Sequence, residues 1–209
     1  GGGISVKDFG DLTGGDEVGR QRHTGYDELA FDAKLLWTID DDSDLTLAHQ
    51  RVDQDDVWRT HRTPYGLAWR GLKQGSDLRL STDEERDLTY ARYRRDGNGG
   101  WLDGLTLTLS RQGLEEEQYR IRNDATSDLQ GFEVETWGVD LQLRSLAGPL
   151  GDFVYGVEYY RDLVDSHSIK YDGAGRLDKI ELQGPVADDA TYDPAALSAQ
   201  VTIQLTAGG

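Results

Sequence analysis

The sequence predicts an all-β fold, an antiparallel up-and-down meander of about eight strands, and three observations support that prediction. Apolar and polar residues alternate with a period of two in one segment after another, as in residues 136–144. Short connections rich in Gly and Asp alternate along the chain with long polar ones. Aromatic residues lie at strand ends beside the short connections. Helical spacing appears only in fragments such as residues 114–119, so the sequence predicts no helix.

The predicted strands follow one another along the chain. In residues 136–144, polar or small residues alternate with four large apolar ones, which is typical of a strand with two unlike faces: Trp137, Val139, Leu141 and Leu143. The same alternation marks residues 29–39, 105–110, 153–160 and 197–206. Weaker strands are predicted at residues 4–12, 44–53 and 87–95, and in the last of these the alternation does not separate the two faces.

The connections add a second pattern. The short ones are residues 40–43, 96–100 and 147–151, and the long polar ones are residues 13–24, 57–84, 118–132 and 164–192. A meander with tight hairpins at one end and long loops at the other is typical of bacterial outer-membrane β-barrels, whereas soluble sandwiches use Greek-key crossings. Trp37 and Trp101 lie beside short connections, where a barrel carries a girdle of aromatic rings at the headgroup level.

Composition excludes several classes of protein. The chain has no Cys, so it forms no disulfide and no thiolate metal site, and it has no Met, so we expect an internal or trimmed piece of a longer chain. No apolar stretch approaches the roughly 20 residues that a membrane helix needs. The 39 acidic and 22 basic residues give a net charge of −17, and such a surface repels nucleic acid.

Together these patterns predict a section of a transmembrane β-barrel in a bacterial outer membrane, with lipid and lipopolysaccharide as its surroundings. One set of alternating side chains is then expected to face lipid: Trp37, Trp137, Val139, Leu141, Leu143, Phe153 and Tyr155. The other set is expected to face the lumen: Asp32, Lys34, Asp140, Gln142, Arg144 and Glu158. A soluble all-β domain or ligand-binding barrel stays open as an alternative.

Several segments resemble the barrel of TonB-dependent outer-membrane receptors, the active transporters of ferric siderophores, haem and similar scarce nutrients. The segments are "VKDFGDLTGGD", "TGYDELAFDAKL", "DLTLAHQ", "WRTHRT", "RDLTYARY" and "LQGPVADDATYD" leading to "LTAGG". The resemblance covers nearly the whole chain, from about residue 4 to residue 208. It implies that a Gram-negative receptor would use this barrel to take up a ferric or haem-type ligand.

The chain departs from that family in two respects. Such receptors are 22-stranded barrels plugged by an N-terminal domain, whereas residues 1–209 hold about eight strands and no plug. The resemblance therefore implies a partial barrel, which would meet TonB only through the absent plug. A small self-contained eight-stranded barrel with a structural, adhesion or lipopolysaccharide-binding role is the alternative.

One loop gathers cations and rings in an otherwise acidic chain. Within residues 57–71, seven side chains are candidates for contact with an anionic or aromatic metal chelate: Trp58, Arg59, His61, Arg62, Tyr65, Trp69 and Arg70. His167 and Tyr171 are candidate haem or iron ligands in a second polar segment. The alternatives are a loop that packs its own aromatic residues, Arg side chains that bridge lipopolysaccharide phosphates, and a solvated loop His.

The sequence predicts no catalytic residue, no metal site and no cofactor. The acidic runs at residues 40–42, 53–56 and 115–117 lack the Gly and the terminal Glu of an EF-hand. Ser166, His167 and Ser168 have no supporting acid, so no nucleophile and base are paired. The chain is therefore not expected to be an enzyme.

Overall fold

The computed structural model describes residues 1–15, 18–68, 71, 73–97, 101–146 and 151–203. Within them the chain forms ten β-strands and one 3-10 helix, Thr60–Arg62. The strands are β1 Gly2–Phe9, β2 Tyr26–Asp40, β3 Ser43–Trp58, β4 Arg79–Asp96, β5 Gly104–Ile121, β6 Ser127–Leu146, β7 Asp152–Tyr171, β8 Leu177–Ile180, β9 Ala190–Tyr192 and β10 Ala195–Thr202. Among these residues no helix is long and apolar enough to cross a membrane.

The strands form one antiparallel sheet in the order β1-β2-β3-β4-β5-β6-β7-β10. The edge of β7 that faces away from β6 is covered by three pieces of the returning chain, namely β8, β9 and β10. The eighth position of the meander is thus one strand interrupted by loops. The predicted all-β meander of about eight strands is confirmed.

The strands are longer than predicted at the end of the sheet opposite the short connections. β6 and β7 each have 20 residues, and the predicted long loop at 118–132 is wrong, because only residues 122–126 separate β5 from β6. The predicted long loop at 164–192 is also wrong, because β7 continues to Tyr171, a turn of residues 172–176 leads into β8, and β9 follows before residue 192. These strand ends carry carboxylates on the face where alternation leads one to expect apolar side chains, so they have the composition of loops.

Outside a few register shifts, the pairing register assigns the strand residues to one of two faces. Leu35, Leu47, Ala91, Leu109, Val139, Tyr159 and Ala195 lie directly opposite one another in a single row, which defines the Leu35 face. Residues one position away, such as Lys34, Tyr90 and Ser110, point to the other side, the Lys34 face. The register also separates the two faces of β4, because Ala91 and Tyr93 lie on the Leu35 face and Arg92 on the other.

The sheet is a single layer with almost no core. Among the described residues only Ala48 and Leu80 are buried hydrophobic residues, and Leu35, Trp37 and Leu109 are 58%, 59% and 49% exposed. The accessible surface is 14331 Å², whereas a compact monomer of this mass exposes about 9,700 Å². Within the described residues the sheet is also open, because β1 pairs only with β2 and β10 only with β7.

Candidate functional site

The Leu35 face carries a continuous band of uncharged side chains near the short connections, called here the apolar belt. Its members, strand by strand, are Ile4 and Val6; Leu29, Phe31, Ala33, Leu35, Trp37 and Ile39; Leu45 and Leu47; Ala91 and Tyr93; Leu105, Leu107 and Leu109; Trp137, Val139, Leu141 and Leu143; Phe153, Tyr155, Val157 and Tyr159; and Ala195, Leu197, Ala199 and Val201. All seven residues predicted to face lipid belong to it. Which surroundings the belt meets stays a prediction.

The same face becomes strongly charged where the belt ends. Five carboxylates from β3 to β7 lie directly opposite one another in the acidic row: Asp53, Glu85, Glu115, Glu133 and Asp165. Arg51 lies 2.6 Å from Glu85, and Arg111 lies 3.2 Å from Asp87 and 3.3 Å from Glu135. Like charges directly opposite each other repel, and water weakens that repulsion. Trp137 marks the border, and its Nε1 donates to Glu135 Oε1 at 2.6 Å.

The Lys34 face is polar over the part of the sheet that carries the belt. The six residues predicted to face the lumen share this face: Asp32, Lys34, Asp140, Gln142, Arg144 and Glu158. Arg144 donates to Asp103 at 2.6 Å, and Asp103 is 3% exposed. Arg92 donates to Thr108 Oγ1 at 3.3 Å. Asp140, Gln142 and Arg144 line a depression of about 500 Å³ beside the short connections, together with Arg92, Arg94, Arg95 and Asp96.

Three aromatic side chains meet at the far end of the sheet, beyond the acidic row, and form the distal cluster. The rings of His23 and Trp58 stack with centroids 4.2 Å apart, and Tyr65 meets His23 edge-on at 4.5 Å. The guanidinium of Arg79 lies 5.6 Å from the Trp58 ring and 5.4 Å from the Tyr119 ring, within cation–π range. Arg79 also pairs with Asp56 at 2.8 Å.

The loop that presents Tyr65 folds back on itself. Thr63 is 0% exposed, and its Oγ1 donates to the Thr60 carbonyl at 2.8 Å and accepts from the Tyr65 N–H at 3.2 Å. The segment that leads from this loop into β4 is held by Asp77, which is 5% exposed and accepts from Arg120 at 2.9 Å. Gly75 passes so close to Arg62 that a Cβ would lie 1.9 Å from the Arg62 carbonyl oxygen, so only Gly fits there.

The structure brings only some of the predicted loop residues together. Trp58 and Tyr65 share the distal cluster, whereas Arg59 donates to Glu116 at 3.2 Å and Arg62 lies 4.0 Å from Asp77. The side chain of His61 is exposed. Trp69 and Arg70 lie outside the described residues.

Sequence reasoning missed His23, which lies in a polar loop and gives no periodic signal. Its backbone has a φ of 61°, a left-handed conformation uncommon for a residue other than Gly, and its ring covers Trp58. The two residues are far apart in sequence, so only the paired strands reveal their contact.

The second predicted pair is not a joint site. His167 and Tyr171 belong to β7 rather than to a loop, and four residues of strand separate their Cα atoms by about 14 Å. They therefore cannot bind one ion together. His167 Nε2 instead lies 3.6 Å from Glu117 Oε2. The described residues contain no group of three or more His, Asp and Glu side chains that could hold a metal ion.

Carboxylates stabilise the turns at the end of the sheet opposite the short connections. Asp124 accepts from the side chain and the N–H of Thr126, and these hydrogen bonds lower its pKa. Asp172 accepts from the N–H groups of Arg176 and Ala174, which lower its pKa in the same way. Beside β8, hydrogen bonds from Lys170 and then Lys179 lower the pKa of Glu181 to about 2.

No protein-family model, no curated protein and no solved structure matches the chain. The class is therefore defined by geometry: an antiparallel β-meander one layer thick, with an uncharged belt on one face.

Proposed function

We propose that the chain forms the wall of a transmembrane β-barrel in a bacterial outer membrane, with the apolar belt against lipid. The observation that carries this proposal is the belt itself, an uncharged surface on eight neighbouring strands that no part of the described protein covers. Exposed apolar surface is unfavourable in water by about 25 cal/mol per Å². Lipid removes that cost while the sheet keeps its backbone groups paired.

The position of the belt supports an orientation for the sheet. The short connections lie next to the belt and correspond to periplasmic turns, while the acidic row and distal cluster extend into water on the outer side. Aromatic side chains mark both borders, with Trp137 and Tyr159 on the outer side and Phe153 and Tyr155 near the short connections. Amphipathic rings of this kind collect at the two membrane interfaces.

Within this class, we propose ligand binding at the distal cluster as the activity. The resemblance to TonB-dependent receptors suggests a ferric siderophore or a haem-type ligand, with TonB supplying energy through a plug domain. Tyr65 is 41% exposed and supplies an accessible ring, and the exposed His61 lies nearby in the same loop. Trp58 acts differently, because His23 and Arg79 already contact its ring, so it holds the loop together.

A second candidate is a self-contained eight-stranded barrel with a structural, adhesion or lipopolysaccharide-binding role. The number of strand positions in the sheet favours it, since eight antiparallel positions place β1 and β10 in opposite directions, as pairing between them requires. The belt would meet lipid in both candidates.

Refolding tests the shared part of the proposal. The chain is refolded with and without detergent micelles and followed by circular dichroism and by heat-dependent mobility on a denaturing gel. We expect a folded, heat-modifiable β-protein only when detergent or lipid is present. A monomeric β-protein that remains folded and dispersed in plain buffer contradicts the membrane proposal.

Titration with haem and with ferric citrate, followed by tryptophan fluorescence, tests ligand binding. We expect saturable binding of one of them that Tyr65→Ala abolishes and Trp101→Ala preserves, since Trp101 is 80% exposed and has no ring partner among the described residues. Equal binding by both variants contradicts the assignment of the distal cluster.

A further inference from the structure

The apolar belt runs obliquely across the sheet. On β2 it extends from Ile39 up to Leu29, but in the row of Leu29 the strands from β3 to β7 carry the carboxylates of the acidic row. On β10 it starts at Ala195, opposite Tyr159, and continues toward the short connections. A membrane interior is level, so a belt that descends along the sheet fits lipid only if the strands are tilted.

The strands β1 and β10 at the two open edges are displaced in the same sense, and only the three residues of β9 continue the β10 register away from the short connections. The row that contains Gly2 passes through Ala33 and reaches Arg161 on β7. Continuing the β10 register places residue 193 opposite Arg161, just before β10 begins. From this row β1 runs away from the short connections and β10 runs toward them, and each strand has 8 residues.

This displacement matches what closure requires. A barrel closes only when its edges meet with a fixed offset along the strands, and the alternation of faces allows only even offsets. With about 3.4 Å per residue and about 4.8 Å between strands, offsets of eight and ten in an eight-stranded barrel give tilts of about 35° and 41°. Both tilts lie in the usual range of roughly 35–45°, and both offsets pair seven residues of β1 with β10.

The direction of the displacement also agrees with the one that a barrel with the belt outside requires. The N–H of Lys34 points to β1, and the N–H of Tyr160 points to β10. When the sheet is viewed onto its Leu35 face with the short connections at the bottom, β1 therefore lies on the right and β10 on the left. Right-handed twist makes barrel strands lean to the right when seen from outside. A barrel with the belt outside therefore needs β10 displaced toward the short connections, as observed, and a belt-inside barrel needs the reverse.

We propose that β1 and β10 pair with each other and close the sheet into an eight-stranded barrel, with an offset of eight or ten residues and the belt outside. This inference rests on the proposed function, because it takes lipid as the surroundings of the belt. An eight-stranded barrel has an interior just filled by side chains, and those of Tyr90, Arg92 and Tyr160 would fill it. Closure thus favours the second candidate: the barrel would bind at its outer end and conduct nothing.

Disulfide trapping tests closure directly, because the chain contains no Cys. Ser5→Cys is combined with Ser198→Cys for an offset of eight and with Gln200→Cys for an offset of ten. Directly opposite residues have Cα atoms about 4.5–5.5 Å apart, within the range of a disulfide, whereas diagonal neighbours are about 7–8 Å apart. Ser5→Cys with Ala196→Cys corresponds to an offset of six and is the matched negative control.

The positive control is Thr106→Cys with Gln142→Cys, which lie opposite each other on β5 and β6. All variants are refolded in micelles and mildly oxidised, and the crosslinked fraction is read from gel mobility with and without reductant. We expect the positive control and one of the two offset pairs to crosslink several-fold more than the Ala196 pair.

Failure of closure and failure of the proposed function give different crosslinking results. A Thr106–Gln142 crosslink without any edge crosslink overturns closure and leaves the membrane proposal standing, as in an arc of a larger barrel. If the Ala196 pair crosslinks most strongly, the proposed offset of eight or ten is wrong. Loss of the Thr106–Gln142 crosslink together with both edge crosslinks overturns the proposed function and closure together.

Discussion

The two halves of the same strands differ in which face is apolar. In the half near the short connections, the Leu35 face carries the belt, and the Lys34 face carries charged groups such as Arg92 and Asp140. In the far half, the Leu35 face carries the acidic row, and the Lys34 face holds Leu114, Val134 and Val164 side by side. The backbone pairing from β4 to β7 is continuous through both halves. The composition of each face therefore changes along the strand while the strand pairing does not.

The largest expected effect comes from a cation placed inside the belt. Leu141→Lys puts a charge among Leu107 and Val157, and we expect it to reduce the unfolding free energy in lipid vesicles by about 2–4 kcal/mol. The matched control Gln142→Lys puts the same charge on the Lys34 face, where we expect a much smaller loss. Denaturant titration of both variants in vesicles measures the difference, and equal losses would contradict a lipid-facing belt.

A smaller effect is expected at the distal cluster. Trp58→Ala removes the stack with His23 and the contact with Arg79, which together contribute about 1–2 kcal/mol locally. We expect residues 59–77 to exchange amide hydrogens faster and to become protease-sensitive, with β6 unchanged. Trp101→Ala is the control that should leave this loop protected. Unaltered protection in Trp58→Ala would mean that the stack does not hold the loop.

In the acidic row, by contrast, removing one charge is expected to stabilise the fold. Glu133 lies between Glu115 and Asp165, so Glu133→Gln relieves repulsion and should stabilise the fold by about 0.2–1 kcal/mol at low ionic strength. The gain should shrink in 1 M salt, where charges are screened beyond about 3 Å. Glu84→Gln, which loses a 2.7 Å ion pair with Arg86, should give no gain. A destabilised Glu133→Gln variant would indicate that the row binds a cation.

The smallest predicted effect is a local dependence on pH. The pKa of Glu181 is about 2 in the folded chain and near 4.5 in an unfolded one, so its contribution to docking of β8 is complete above pH 4.5 and is lost as the pH falls toward 2. Carboxyl chemical shifts across this window measure the midpoint. Lys170→Met should raise the midpoint, because the hydrogen bond from Lys170 is the first cause of the low pKa. An unchanged midpoint would remove Lys170 from that role.

Alternation predicted the eight strands β1 to β7 and β10, because Leu105, Leu107 and Leu109 and similar runs reveal a two-faced strand by themselves, but it did not predict the short strands β8 and β9. It did not predict strand length. The far ends of β5 and β6 lack the apolar alternation of the belt, so residues 118–132 suggest a solvated loop when no partner strand is visible. The sequence also could not predict the displacement of the edge strands β1 and β10, because pairing register depends on two strands together and not on either one alone.

Only part of the candidate site was predicted, because sequence patterns reveal local groups of residues but not contacts between distant ones. The local excess of rings and cations singled out Trp58 and Tyr65, which do meet. His23 was missed because its contact with Trp58 joins a loop to the end of β3, and the sequence alone does not show that the two are neighbours. His167 was placed in a loop, although it is a strand residue opposite Gly131.

Lipid contact along β6 is the most direct test of the central claim. Single Cys substitutions at each position from 132 to 144 are spin-labelled in refolded vesicles, and relaxation by oxygen and by a water-soluble reagent is measured. We predict high oxygen access at positions 137, 139, 141 and 143, low access at the positions between them, and water access at 133 and 135. Access of the water-soluble reagent to 139 and 141, without the alternation, would contradict a belt that faces lipid.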